Sequence, residues 1–417
     1  IDYKYMLDLK FIRENKELIQ KNCENRRVKV DIERLFILDE QKRALQHEID
    51  DLRALRNEKS KGKPSEEEIT KMREVGENIK NLEEKMSSIE IELNELLLSI
   101  PNLTHPDSPI GGEEDYEVVY TNKEPNKFTF VPKDHEELMT NLDMIDFERG
   151  AKVAGSKFYF YKNDGVRMNQ ALINYGMDIL SKHGYILLET PDVAKQEILV
   201  GAGFNPRGAE TQVYNIEGTD LCLIGTAEIS TLGYHANEIL DLSNGPIKYA
   251  AISHSFRTEA GAYGKTSKGL YRVHQFTKLE MFIFSKPEDS EKLHEELLSI
   301  EKEICDGLEI PYRVIDIPSG DLGGPAYRKY DIEAWMTMKN DYGEITSTSN
   351  CTDYQARRLN IKYVKEDGTK DFVHTLNGTA VVLSRFPIAI TENNQREDGK
   401  ISVPQVLQKF IGKTILG

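Results

Sequence analysis

The sequence predicts an α+β protein, an antiparallel β-sheet flanked by helices, with an N-terminal antiparallel coiled-coil hairpin as an arm. Three observations lead there. Two long stretches between about Ile32 and Ile100 carry apolar residues at coiled-coil spacing. The run Pro101 to Gly112, with three prolines and two glycines, then breaks the chain. Beyond it, short alternating strands mix with helices, without the regular β-α-β alternation of a doubly wound parallel sheet.

In the second long helix Ile69, Met72, Gly76, Ile79, Leu82, Met86, Ile89, Leu93, Leu96 and Ile100 form a seam. Leu38, Leu45, Ile49 and Leu52 stripe the first, and neither stripe is stable in water, so each is expected to cover the other. Gly62 and Pro64 break the helix between them, Ser65 suits an N-cap, and Glu66 to Glu68 suit the positive end of the next helix. At 1.5 Å per residue, about 30 residues of helix reach roughly 45 Å. The expected hairpin covers about residues 32–100 with its tip at 59–65, inside a first domain of 1–108; a second domain covers 109–417. At the tip Arg53, Arg56, Lys59, Lys61 and Lys63 stand against Glu58 alone. Such a run more often only solvates an exposed hairpin; the alternative is a finger that contacts phosphates.

In the second domain, Arg167 to His183 and Glu288 to Leu308 read as amphipathic helices. Ile247 to Arg257, Leu270 to Ser285, Glu344 to Asn350 and the stretch around Phe372 to Leu376 read as hairpin-connected strands, and Pro404 to Ile415 as a closing helix. The 417 residues, 39% hydrophobic and 30% charged, suit two or three globular domains. No stretch approaches the roughly 20 apolar residues of a bilayer span, so no membrane partner is expected. The first sixteen residues mix acids and bases without an apolar core, unlike a secretory signal, so the expected location is cytoplasmic, with an organelle matrix as the alternative. Cys23, Cys222, Cys305 and Cys351 form no C-x-x-C pair, which speaks against a disulfide framework and against zinc. A net charge of −16 argues against a nucleic-acid partner unless basic residues cluster locally, as they do at the tip.

Several segments carry chemistry. Gly264-Lys265-Thr266 ends like a P-loop, yet Glu259 stands where its first glycine belongs and the following residues alternate like a strand, not a helix. A hairpin reads better. On an extended chain Arg257 and Glu259 share a face, where a guanidinium grips phosphate and a carboxylate accepts from an adenine amino group, although an Arg/Glu pair alone is worth little. On the next strand His274, Phe276, Lys278, Glu280 and Phe282 share a face, opposite Leu279, Met281 and Ile283. A glutamate buried there needs a partner, either a substrate ammonium or a structural cation. Arg385 lies in an apolar run that suggests an anion, and Pro387 disfavours a regular helix there. Glu344 and Ser347 offer hard oxygen ligands suited to Mg²⁺.

Taken together, these segments resemble the three signature motifs of class II aminoacyl-tRNA synthetases, in the form found in seryl-tRNA synthetases. The first resembles His183 to Pro191, the second Phe256-Arg257-Thr258-Glu259 through Phe276 to Glu280, and the third Asn377-Gly378-Thr379 through Arg385 to Asn393. Thr226-Ala227-Glu228 resembles the family's serine loop, and Thr346 to Arg358 its S-x-S-N-C-x-D-x-Q-x-R-R stretch. The likeness covers nearly the whole chain. It implies a serine-tRNA ligase that activates L-serine with ATP to seryl-adenylate and pyrophosphate, then moves serine to the 3′ end of serine tRNA, and selenocysteine tRNA is a further candidate substrate. It also implies a homodimer, with the first motif at its interface, and Mg²⁺ without zinc.

Residue by residue, the resemblance gives Arg257 the α-phosphate and the serine carboxylate, Glu259 the adenine edge, and Phe276 the adenine face, with Val273 lining the pocket. Arg385 takes the γ-phosphate, and Glu344 and Ser347 the metal, with Thr258, Ile345 and Thr346 beside the nucleotide. Glu280 and Thr379 read the serine amino and hydroxyl groups, and Thr226, Ala227, Glu228 and Asn377 complete that pocket. The basic tip reads the long variable arm of the tRNA. The alternative is a catalytically silent paralogue that acts as a binding or regulatory module; it would be expected to lose Arg257, Glu280, Glu344 or Arg385, and all four are present.

Overall fold

The computed structural model describes residues 9–59, 65–205, 212–260 and 269–417, the side chain of Lys59 excepted. It divides into two compact units, one ending at Leu103 and one beginning at Thr104.

The first unit holds α1 (Leu9–Glu14), α2 (Lys16–Asn25), α3 (Ile32–Lys59) and α4 (Glu66–Ser99). Ser65 caps α4 in a full capping box: its hydroxyl accepts from the Glu68 N–H while Glu68 accepts from the Ser65 N–H at 2.9 Å. Along the hairpin Ile49, Ile79 and Leu82 are buried together, with Leu45, Leu52, Val75 and Met86 packed around them. The expected seam holds there and continues to the base, where Leu38, Ile89, Leu93, Leu96 and Ile100 pack together, but it fails near the tip. Ile69, near the tip, is 54% exposed, and near the base Leu97 is buried in addition to the expected residues. At that base α1 and α2 add Ile12, Ile19 and Cys23 to Leu35, Leu38, Leu93 and Ile100, so the helices form a small bundle whose apolar face is broader than a two-stranded seam.

The second unit is built on eight strands: β1 (Glu117–Thr121), β2 (Ile186–Glu189), β3 (Ile247–Phe256), β4 (Gln275–Ser285), β5 (Tyr312–Asp316), β6 (Arg328–Met336), β7 (Asp341–Asn350) and β8 (His374–Val382). Their order across the sheet is β1-β5-β6-β7-β8-β4-β3-β2. Each neighbouring pair is antiparallel except the edge pair β2 and β3, which is parallel. The helices that bear on the site and its core are α5 (His135–Asn141), α6 (Asn163–Lys182), α7 (Gln196–Ala202), α8 (Ala227–Tyr234), α9 (Ser290–Gly307), α10 (Tyr354–Leu359) and α11 (Arg385–Asn393).

The period-two pattern of β4 sorts the core. Leu279, Met281 and Ile283 join a cluster that takes in Leu172 and Ile179 of α6 and Leu297 and Ile304 of α9. Phe282 and Phe284 join a separate cluster with Leu199 of α7, Ile229 of α8 and Ala356 of α10. Three register shifts interrupt the ladders among the described residues: one in β1 between Val118 and Tyr120, one in β7 between the partners of Ile332 and Glu333, and one in β8 between Thr379 and Val381. Each inserts an extra residue, a β-bulge that re-aims the neighbouring side chains.

Three local expectations need correction. The second hairpin strand begins at Gln275, not Leu270, because residues 269–274 are turn and irregular chain. The closing helix stops at Ile411, where Gly412 takes φ +74, and Ile415–Leu416 instead pairs with Ile401–Ser402. Pro387 does not interrupt a helix, since α11 starts at Arg385 and places it in the first turn, where its missing N–H leaves no bond unmade.

Beneath the sheet, Glu301 of α9 is fully buried, and Thr346 Oγ1 donates to its Oε2 at 3.0 Å. Gly378 lacks a side chain where a Cβ would come within 3.1 Å of Glu301 Oε1. Burial first, then Asp331 and Glu280, pushes the Glu301 carboxyl well above the ordinary range, so the folded protein holds it neutral. The unfolded chain ionises it above about pH 4.3, so stability from this site is complete below that pH and falls as pH rises towards the folded value. Glu301→Gln is therefore expected to stabilise the protein more at about pH 8 than at about pH 5, read by urea denaturation; equal effects at both would contradict a neutral Glu301.

Candidate active site

A cavity of about 310 Å³ opens where β3, β4, β6, β7 and β8 approach the N-termini of α8 and α11. Antiparallel pairing assembles it. Ala251 lies opposite Glu280, Thr379 opposite Glu280 on the other side, and Asp331 opposite Ser347, so residues far apart in sequence become cross-strand neighbours. Lys278 and Glu280 have the parity of Phe282 and extend that face of β4 into the cavity.

Of the residues expected at the site, Thr226, Glu228, Arg257, Glu259, Val273 and Phe276 line this cavity. So do Glu280, Glu344, Ile345, Thr346, Ser347, Asn377, Thr379 and Arg385. Thr258 and Ala227 sit in chain next to lining residues but are not lining residues themselves. Ala227 is fully buried as the first residue of α8, whose N-cap is Thr226. The glycine-rich stretch 261–268, with its P-loop-like ending, lies outside the described residues; the chain after it runs through turn into β4, not into a helix.

Most of the charges already have partners. Arg385 Nη1 meets Glu344 Oε1 at 2.9 Å and donates to the Glu344 carbonyl at 3.1 Å, and its guanidinium lies 5.0 Å from the Tyr271 ring. The Arg257 guanidinium lies 5.3 Å from the Phe276 ring, over the surface where adenine was expected. Burial, then Arg385, lowers Arg257 below its usual range. Burial alone would raise Glu344, yet Arg385, Lys329 and Arg257 outweigh it and bring the carboxyl down to about 2, with 39% of the side chain open to the cavity. Glu259 meets Arg272 Nη1 at 3.3 Å. The sequence placed Arg257 and Glu259 on one face of an extended chain; instead β3 ends at Phe256 and Glu259 has φ +53, so both reach the cavity through a turn.

Glu280 also departs from expectation in part. Its partner in the structure is Lys278, two residues back on the same face, with both side chains buried. Burial raises the Glu280 carboxyl, and Lys278 offsets part of that. Period two made Lys278 visible from the sequence, but its role was not. Lys329 and Tyr271 were missed altogether, and Arg272, within the second motif, was given no role. Lys329 lies on β6, where Lys329, Asp331 and Glu333 alternate with Tyr330, Ile332 and Ala334, a pattern that could have been read as a strand with a charged face.

A divalent ion has a fitting place. Glu344 is held ionised, Ser347 adds a hydroxyl, and the adjacent Asp331 keeps a buried oxygen, Oδ1, without a hydrogen-bond partner among the described residues. Mg²⁺ is commonly held by one or two carboxylates with phosphate and water completing its shell, which suits this donor set. Among the described residues no group of three or more His, Cys, Asp or Glu side chains is arranged to hold a metal by itself.

His135, the first residue of α5, braces the cavity wall. Its Nδ1 lies 2.8 Å from Glu392 Oε1 on α11, and its Nε2 accepts from the Leu270 N–H at 3.2 Å, just before the lining residues Tyr271 to Val273. Gly269 must be glycine there, since a Cβ would fall 2.2 Å from that nitrogen.

Comparison with known proteins gives the same picture along the whole chain. Residues 6–104 match the family model of the seryl-tRNA synthetase N-terminal domain. Residues 212–394 match that of the class II tRNA synthetase core domain for G, H, P, S and T. A serine–tRNA ligase of Treponema denticola is 51% identical over 99% of this chain and 100% of its own length. One of Rubrobacter xylanophilus is 49% identical over 99% of each. Among solved structures, a seryl-tRNA synthetase from Pyrococcus horikoshii complexed with ATP superposes with a TM-score of 0.90 at 37% identity, covering 98% of this chain and 99% of that one. A cytoplasmic serine–tRNA ligase from Naegleria fowleri in complex with AMP gives 0.84 at 33% identity, covering 100% and 98%.

The buried pair on β4 carries a stability prediction. Lys278→Met strands the Glu280 charge and is expected to cost about 3–5 kcal/mol, whereas Lys278→Met combined with Glu280→Gln recovers most of it. Chemical denaturation of both variants measures this; equal losses would show that the two side chains do not depend on each other.

Proposed function

Because this chain belongs to the seryl-tRNA synthetase family, we propose that its cavity condenses L-serine with ATP and hands the product to the 3′ end of a serine tRNA. The observation that carries the proposal is the convergence of Arg257, Arg385 and Glu344 with the buried carboxylates Glu228 and Glu280 on one cavity. Guanidiniums suit a polyphosphate, and buried carboxylates suit an ammonium.

In this reading Arg257 holds the α-phosphate and the serine carboxylate together, and Arg385 holds the far phosphate. A serine carboxylate oxygen attacks the α-phosphorus, the bond to pyrophosphate breaks, and the two guanidiniums offset the charge that develops. Phe276 offers the adenine its ring once Arg257 turns from it to phosphate, and Glu259 and Val273 edge the same pocket. Mg²⁺, held by Glu344 and Ser347, would add electrostatic stabilisation of the phosphates when bound. Thr379, Glu280, Glu228, Thr226 and Asn377 surround the amino acid. A site built to hydrogen-bond a hydroxyl leaves its own groups unpaired when alanine enters, and threonine is refused by size.

The remaining roles are proposals of the same kind. Arg56 is exposed near the end of α3, and Arg53, also exposed, is engaged with Glu83 of α4 at 2.7 Å. With Lys59, and with Lys61 and Lys63, which lie outside the described residues, they are proposed to contact tRNA phosphates. The edge strand β2 leaves Ile186 54% and Leu187 46% exposed, and a second copy of the chain is proposed to cover it. No helix among the described residues is long and apolar enough to cross a membrane. The proposed compartment is the cytoplasm or an organelle matrix.

ATP–pyrophosphate exchange tests the reaction. Exchange is expected with serine and to be at least about 100-fold weaker with alanine or threonine; exchange independent of serine would overturn the proposal. Replacing Arg53, Arg56, Lys59, Lys61 and Lys63 by glutamine is expected to lower serine transfer to tRNA by about 100-fold or more at moderate salt, with exchange nearly intact. Parallel loss of both activities would contradict a tRNA role for the tip.

A further inference from the structure

Glu228 stands in the first turn of α8, 7% exposed, and Gln355 of α10 is fully buried against it. Gln355 Nε2 donates to Glu228 Oε1 at 2.5 Å and to the Ala202 carbonyl at 3.0 Å, while Thr375 Oγ1 donates to Gln355 Oε1 at 2.7 Å. Every polar atom of the carboxamide is engaged, and those partners fix which way it faces. A flipped amide would set its oxygen against two acceptors. Asn377 Nδ2 donates to the same Glu228 oxygen, Oε1, at 3.1 Å. Among the described residues no hydrogen bond reaches Glu228 Oε2, and Glu228 lines the cavity.

We propose that Gln355 is a positioning residue for amino-acid capture: with Asn377 it saturates one oxygen of Glu228 and commits the other to the incoming ammonium. The proposal rests on the reading of this cavity as the serine site. A proton on Glu228 has the same single place to go, because Oε1 already accepts two N–H groups. Proton and ammonium therefore compete for Oε2, and binding of the ammonium to neutral Glu228 expels that proton to solvent.

The surroundings make the competition relevant near neutral pH. Burial is the main cause that raises Glu228, to about 7; the Gln355 hydrogen bond works against it, Glu280 adds to it, and Lys278 and Arg257 lower it. The charges of α10 itself have other partners: Arg357 donates to Asp353 at 2.7 Å and Arg358 to the Tyr354 hydroxyl at 3.0 Å. α7 presents the Ala202 carbonyl, and β8 presents the neutral Thr375 and Asn377.

The test is serine-dependent ATP–pyrophosphate exchange between about pH 6 and about pH 9. In the wild-type chain the serine KM is expected to rise as pH falls through 7, approaching about tenfold per pH unit at the acid end. Gln355→Met removes an N–H that favours the ionised form, so the rise is expected to begin about one pH unit higher, with serine KM restored near pH 9 and the ATP KM unchanged. An increase in serine KM that is the same at every pH, or an unshifted profile, overturns the proposal. Should Gln355→Met be inactive throughout, Thr375→Val, which loosens the carboxamide without removing it, is expected to shift the profile in the same direction by a smaller amount, and an unshifted profile there overturns it equally. Absence of serine-dependent exchange in the wild-type chain would instead sink the functional reading itself.

Discussion

Two guanidiniums, Arg257 and Arg385, sit in one cavity, Arg385 paired with Glu344 and Arg257 within the reach of its field, and the rest of the site is arranged around keeping them there. Burying a cation is costly unless nearby groups offset the lost hydration. Here Glu344, Tyr271 and Phe276 do so, through an ion pair and two aromatic faces. Among the described residues the cavity lining holds five cations, Arg257, Arg272, Lys278, Lys329 and Arg385, against four carboxylates, of which Glu228 and Glu280 are pushed towards neutrality by burial. A chain of net charge −16 thus keeps a locally positive hollow, which suits a polyphosphate.

Most of the charges around this hollow have a partner within the chain: Arg385 with Glu344, Arg272 with Glu259, Lys278 with Glu280. Ligand binding is then an exchange of partners, not the first burial of a charge. Phosphates would draw Arg257 and Arg385 away from rings and carboxylate, and an ammonium would take the free oxygen of Glu228. Such a site is preorganised, because the desolvation has been met in folding, and little reorientation is left for the reaction itself. The sheet supports this arrangement: the cavity lies beside the aromatic cluster of Phe282 and Phe284, and the bulges in β7 and β8 let Ile345 and Val382 reach it beside the regularly alternating Asn377 and Thr379.

How much of this was legible in the sequence depends on the range of each signal. Period-two alternation along β4 placed Phe276, Lys278, Glu280 and Phe282 on one side correctly, because the strand is regular there. The same rule failed for Arg257 and Glu259, since the strand had ended and Glu259 turns into the left-handed region, a conformation no alternation pattern reveals. The hairpin seam was readable from mid-arm to the base, but not the way α1 and α2 widen the buried face there. Partners brought by tertiary pairing were out of reach: nothing in the sequence sets Gln355 against Glu228, or Lys329 near Glu344, across separate strands and helices. The assignment of roles came from resemblance in motif order, and the geometry supplied what the motifs lacked, the internal partner of each charge.

The most direct measurement is a crystal structure of this chain with a sulfamoyl analogue of seryl-adenylate, which does not hydrolyse. The expected result has adenine on the Phe276 ring, the sulfamoyl group at Arg257, and the ammonium between Glu228 and Glu280. An analogue bound with its ammonium turned to solvent, and with Arg257 still lying on Phe276, would contradict a cavity organised by exchangeable charges.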